Sequence, residues 1–183
     1  MVRIAIVVLG ALVLACALPT SRARSEDQSP FSDPAVGAVL LPVAQCALAE
    51  SGGHAPDVTA ITWVLWKRAR QAGVPISTMA MRYCRIHRAP RPHRRWITEI
   101  GWTNNPPAPP SWQGKASWSR LVTIWRSVQL LVLMSYSEQY ADPCPNAFHW
   151  GSETDGQPRM TEPVSCGATR NLFWSRPRRT QKI

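Results

Sequence analysis

The sequence predicts a mainly α single domain whose irregular C-terminal third is pinned by disulfides. Three observations carry this reading. Apolar residues recur at helical spacing in successive windows between residues 35 and 136. That periodicity is lost after Asp142-Pro143-Cys144. Four cysteines, Cys46, Cys84, Cys144 and Cys166, remain once Cys16 in the N-terminal leader is set aside. A chain of 183 residues can bury one ordinary core and leaves little room for a second. Its 45% hydrophobic content excludes a wholly disordered chain. The one long apolar run sits at the extreme N-terminus, which excludes a polytopic membrane protein.

That N-terminal run sets the compartment. Met1 to Leu18 carry one arginine, Arg3, and then an uncharged apolar stretch, with polar residues from Thr20 onward. This is the pattern of a secretory signal over residues 1–25, with Ala15-Cys16-Ala17 as an A-x-A cleavage site. Val13-Leu14-Ala15-Cys16 also resembles a bacterial lipobox, in which Cys16 would be the lipidated first residue; ordinary cleavage instead discards it. The expected location is exported, either periplasmic or extracellular, with the lipoprotein form as an alternative. Removing Arg3, Arg22 and Arg24 lowers the net charge from +10 to +7. An exported basic chain of this kind is expected to meet anionic envelope polymers rather than nucleic acid, as a monomer. Membrane contact is expected only through a lipid anchor at Cys16. An even number of cysteines in an oxidising compartment implies two disulfides, and sequence alone leaves three connectivities open. There is no C-x-x-C pair, and the four histidines share no ligand spacing, so no metal and no cofactor is expected.

Residues 26–34 read as a polar linker, 35–174 as one domain and 175–183 as a basic tail. Val36, Val39, Leu40, Val43 and Cys46 predict a first helix from Ala35 to about Glu50, beginning or kinking at Pro42 and stopped by Ser51-Gly52-Gly53. A second helix starts near Pro56 with the stripe Val58, Ile61, Val64 and Leu65, and ends with Lys67, Arg68 and Arg70 where its dipole favours cations. Ser77 is expected to cap a third helix through Met79, Met81, Tyr83 and Cys84. A short fourth covers Pro92 to Ile100, followed by a breaker region, residues 101–110, with four prolines. The long helix Ser117 to Tyr136 buries Leu121, Ile124, Trp125, Val128, Leu131, Val132 and Tyr136. Residues 144–174 read as loops with one or two short strands.

One acid stands out. Glu50 continues the stripe Val39, Val43, Cys46 at offsets 0, 4, 7 and 11, so it should leave the helix on its buried face. It also sits at the helix C-terminus, where the dipole disfavours an anion. Both effects predict a raised pKa and a carboxyl that holds its proton. Cleavage of a glycosidic bond needs such a group, because the leaving oxygen must be protonated as the bond breaks. The plainer alternative is a solvated Glu or one paired with an arginine.

Ala47-Leu48-Ala49-Glu50-Ser51-Gly52-Gly53, followed by an amphipathic helix through Ile61-Thr62-Trp63-Val64-Leu65 to Lys67-Arg68, resembles the opening of lysozyme-like cell-wall hydrolases. The Glu-Ser pair is similar to that of lytic transglycosylases, and the helix ending in a basic pair to the spore-cortex-lytic type. Asp142-Pro143-Cys144-Pro145-Asn146-Ala147-Phe148-His149-Trp150 resembles that type's Asp-Pro-Thr…Gly-Ala-Leu-Tyr segment, with Cys144 where Thr is usual. The resemblance implies a lysozyme-like α (α+β) fold, peptidoglycan as substrate and Glu50 as general acid. It also implies that the substrate's own N-acetyl group attacks the anomeric carbon, so a second carboxylate is not demanded. Asp142, Glu153 and Asp155 are the candidates should one act, against the reading of Glu153 and Asp155 as turn residues.

Ser51, His149, Trp150, Asp142 and Asn171 are the remaining candidates for substrate binding or for orienting the acid. Trp faces stack on sugars and His bonds hydroxyls, while Asn171 reaches the cleft only if disulfides fold the C-terminal segment back. The pairing expected is Cys46–Cys84, tying the first helix to the third, and Cys144–Cys166, closing the irregular third. The basic stretch Arg82 to Arg95 is either a solvated face or a contact for anionic polymer. A non-catalytic envelope-binding module is the rival reading.

Overall fold

The computed structural model describes residues 29–88, 115–152, 155–158 and 161–177. The leader, the lipobox, most of the linker, the expected fourth helix, the proline-rich region, Glu153 and the end of the tail lie outside the described residues. Among the described residues the elements are α1 (Pro34–Ser51), α2 (Ala55–Ala72), α3 (Ile76–Tyr83), α4 (Arg85–Arg88), α5 (Lys115–Tyr136), β1 (Ala147–Gly151), β2 (Pro163–Val164) and β3 (Leu172–Ser175). The protein is mainly helical with a small antiparallel sheet in the order β1-β3-β2.

Asp33 caps α1 by accepting the Ala35 N–H at 2.8 Å, and Pro34 takes a first-turn place that needs no N–H donor. Pro42 lies inside the helix rather than at its start. Lacking an N–H, Pro42 leaves the Ala38 carbonyl without its helical donor, while its own carbonyl meets the His87 Nε2 at 2.9 Å. Gly52, at φ 63°, closes α1 in the left-handed conformation with its N–H on the Leu48 carbonyl. α1 is long and apolar enough to cross a membrane, yet half of it is buried inside the protein. Val43, Ala44, Cys46, Ala47 and Leu48 are fully buried, so it is the central helix of the core.

Packing follows from these stripes. α1 contacts α2, α3 and α5, and α2 also contacts α5 and β1. Val58, Ile61, Val64 and Leu65 of α2 meet Trp125, Val128 and Val132 of α5 in one continuous core. Each large apolar side chain buried there stabilises the fold by about 1.5–3 kcal/mol. Two expectations are corrected. Tyr136 is exposed, because it lies in the last turn of α5, where the core ends. Ser77 is not a cap: α3 begins at Ile76 with Pro75 before it, and no side chain bonds the first-turn N–H groups.

The turn between α1 and α2 is tight. Gly53 has φ 88°, and a Cβ there would lie 2.5 Å from the Ile124 methyl of α5. Only glycine lets this turn approach α5 so closely.

Both disulfides pair as expected, Cys46–Cys84 and Cys144–Cys166, and they fit an oxidising, exported environment. Lys67 holds the chain after α5: its Nζ donates to Asp142 Oδ2 at 2.8 Å, to the Cys144 carbonyl at 2.6 Å and to the Pro145 carbonyl at 3.2 Å. The chain then enters β1 against β3, with Trp150 opposite Phe173 and Gly151 opposite Leu172. The C-terminal third therefore holds three strands where one or two were expected. Short edge strands without helical periodicity are hard to tell from loops.

Candidate active site

Glu50, Arg68, Tyr83, Arg85, His149, Trp150, Gly151 and Asp155 line one cleft of about 290 Å³. Four stretches of chain build it. Glu50 comes from the last turn of α1, Arg68 from α2, and Tyr83 and Arg85 from the junction of α3 and α4. His149, Trp150 and Gly151 come from β1, and Asp155 from beyond its end. Glu50 is half-buried and ends the stripe on which the core helix packs.

The backbone behind Glu50 is fastened from the C-terminal segment. Asn171 Nδ2 donates to the Glu50 carbonyl at 3.2 Å. Asn171 is itself held by Asp57, whose Oδ1 accepts the Arg170 and Asn171 N–H groups, both at 3.0 Å. Asp57 is buried to 1% exposure, and its other oxygen meets His54 Nδ1 at 2.8 Å. A buried carboxylate with three donors is well satisfied, and it locks residues 170 and 171 onto the start of α2.

The far wall belongs to β1. A β-bulge between Ala147 and His149 interrupts the regular pairing immediately before His149 and Trp150. His149 Nδ1 is hydrogen-bonded by the Arg68 Nη2 group. Burial, and then the Arg68 charge, push the imidazole down to about 4, so His149 is neutral at neutral pH. Arg68 lies over the Tyr83 ring, 4.4 Å from its centroid, and 5.7 Å from that of Trp150. Asp155 receives the Ser152 N–H and hydroxyl at 2.8 Å each and pairs with Arg85 at 2.9 Å. The Ser152 donors, with Arg85 adding to them, hold its carboxyl below the usual aspartate range. Gly151 permits this packing: a Cβ there would come within 3.2 Å of Asp155 and of Trp174.

The sequence candidates thus separate into three groups. Glu50, His149 and Trp150 meet in the cleft, while Asn171 is not among its lining residues and instead bonds the Glu50 backbone carbonyl. Ser51 Oγ donates to the Ala47 carbonyl at 2.6 Å and accepts the Gly53 N–H at 3.0 Å, which closes the helix end. Asp142 binds Lys67 and the Cys144 N–H, and so shapes the turn before β1. Asp155 is both a turn residue and a lining residue of the cleft. In the basic stretch, Arg85 is paired with Asp155 and His87 with Pro42, while Arg91, His93, Arg94 and Arg95 lie outside the described residues.

Sequence reasoning missed Arg68, Tyr83 and Asp57. Arg68 and Asp57 sit where helix dipoles favour their charges, and this ordinary explanation hides their specific partners. Only the pairing of residues 170–171 with α2, a contact across 113 positions, reveals the role of Asp57. Among the described residues no three His, Cys, Asp or Glu side chains come together in a way that could hold a metal ion. Comparison with protein-family models, with curated proteins and with solved structures finds no match to this chain.

Proposed function

We propose that this exported chain cleaves the glycan strand of peptidoglycan, with Glu50 as general acid. One observation carries the reading: Glu50, His149 and Trp150, far apart in sequence, line a single cleft. Glu50 lies in the last turn of α1, where the backbone dipole disfavours an anion. In the proposed step the Glu50 proton passes to the glycosidic oxygen as the C1–O bond breaks. The electron pair of that bond leaves with the departing sugar. The N-acetyl oxygen of the substrate closes on C1, and water or an intramolecular hydroxyl then relieves it. Trp150 offers a ring face for a sugar, and Asn171 acts through the backbone as a positioning residue.

The test is release of soluble muropeptides from purified sacculi. Glu50→Gln is expected to lower the rate by about 10²- to 10⁴-fold while leaving sacculus binding intact. Product from Glu50→Gln at the unaltered rate overturns the assignment. Sacculus binding with no product from either protein favours the envelope-binding module instead.

A further inference from the structure

Among the described residues Arg68 is a part-buried cation without a carboxylate partner. Among the described residues the ion pairs are His54–Asp57, Lys67–Asp142 and Arg85–Asp155, and Arg68 belongs to none of them. Its contacts are the His149 ring nitrogen and the faces of Tyr83 and Trp150. A guanidinium stays charged under these conditions, and burying a charge without an opposite one is costly. An anionic ligand would offset that cost.

The surroundings specify the ligand. Arg68 directs one N–H to His149 and keeps further donors on its planar fork. His149 accepts through Nδ1, so its ring proton lies on Nε2 and offers another donor in the same cleft. The anion opposite, Asp155, is already engaged by Arg85 and Ser152 and does not neutralise Arg68. A positive, donor-rich wall between two aromatic faces suits a planar anion carried on a ring.

We infer that Arg68 recognises a sugar-borne carboxylate, so that the cleft selects glycan strands whose lactyl carboxylates are free of peptide. This rests on the glycan-cleaving reading above, and deepens it by naming the strand chemistry.

The experiment uses the full mature chain carrying Glu50→Gln, which binds without turnover. Peptide-free glycan strands, and the same strands with each carboxylate converted to its methylamide, are titrated calorimetrically. Amidation is expected to weaken binding by at least about tenfold. Adding Arg68→Gln should abolish that difference while the affinity for amidated strands is kept. Equal affinities for the two strands overturn the carboxylate inference and leave the glycan reading standing. A preference that survives Arg68→Gln assigns it to the general basic surface and overturns the role of Arg68. Binding of neither strand overturns both readings. Where Arg68→Gln fails to fold, Arg68→Lys decides: a reduced preference supports the planar fork, and an unchanged one overturns it.

Discussion

The side-chain amide of Asn171 donates to the backbone carbonyl of Glu50 at 3.2 Å, across 121 positions of sequence. Carbonyls in the last turn of a helix lack partners within the helix, and this one is satisfied from a distant strand entry. Asp57 stands behind it, buried and bound to the backbone of both Arg170 and Asn171.

Removing this support should affect stability and turnover differently at the two positions. Asn171→Ala is expected to lose about 1 kcal/mol, the worth of one neutral hydrogen bond. Asp57→Ala should lose about 3 kcal/mol, because buried N–H groups are left without an acceptor. Urea unfolding measures both. Under the proposed glycan cleavage, Asn171→Ala should lower kcat for muropeptide release with little change in KM, since it would shift the proposed acid and leave the proposed sugar contacts in place.

His149 makes stability depend on pH in a defined direction. Its folded pKa, about 4, lies below its ordinary value of 6.5, so the unfolded chain binds the proton more readily between those limits. The contribution of this residue is fully present above pH 6.5 and is lost as pH falls toward 4. Thermal unfolding from pH 7.5 to 4 should therefore show a steeper decline in the parent than in His149→Gln. His87, also pushed down by burial, acts in the same sense in both proteins and drops out of the difference. By NMR, Arg68→Met should raise the His149 pKa, because the Arg68 charge is one of its two depressing causes.

Neighbouring glycines should respond unequally to alanine. Gly52→Ala places a side chain at φ 63° with nothing within 4 Å, and should lose about 1 kcal/mol from the left-handed backbone alone. Gly53→Ala adds a 2.5 Å collision with Ile124 to its φ of 88°, and should lose about 3 kcal/mol. Chemical denaturation of the pair checks the contrast; equal losses would mean that α5 yields at Ile124.

The disulfides close loops of 38 and 22 positions. Loop-closure entropy assigns about 4 kcal/mol to Cys46–Cys84 and about 3 kcal/mol to Cys144–Cys166. Paired serine replacements at each bridge, compared by urea unfolding, test this order. Loss of Cys144–Cys166 should also loosen the turn held by Lys67, and proteolysis near residue 165 should be faster.

The helical part of this fold was legible because its signals are local. The stripe of α2 and the Gly52-Gly53 stop lie within single turns of chain, and α1 and α2 follow them to within a residue or two. Glu50 was legible for the same reason, as an acid out of keeping with its stripe. His149 and Trp150 were found through a resemblance to cell-wall hydrolases rather than through periodicity. Arg68, Asp57 and the three-stranded sheet were not legible. Arg68 and Asp57 take their meaning from contacts across 81 and 113 positions, and the sheet from pairings between short strands, none of which spacing or composition encodes. Ser77 had the right chemistry for a cap and the wrong place, since the helix starts at Ile76 with Pro75 in the cap position, two residues before Ser77.

The clamp from Asn171 to Glu50 also sets an order of events during biosynthesis. Synthesis runs from the N-terminus, so the α1 acid is made 121 positions before its fastening amide. A nascent chain that has not yet reached position 171 has no lateral brace behind the acid, and that wall of the cleft is completed only after the helices it rests on.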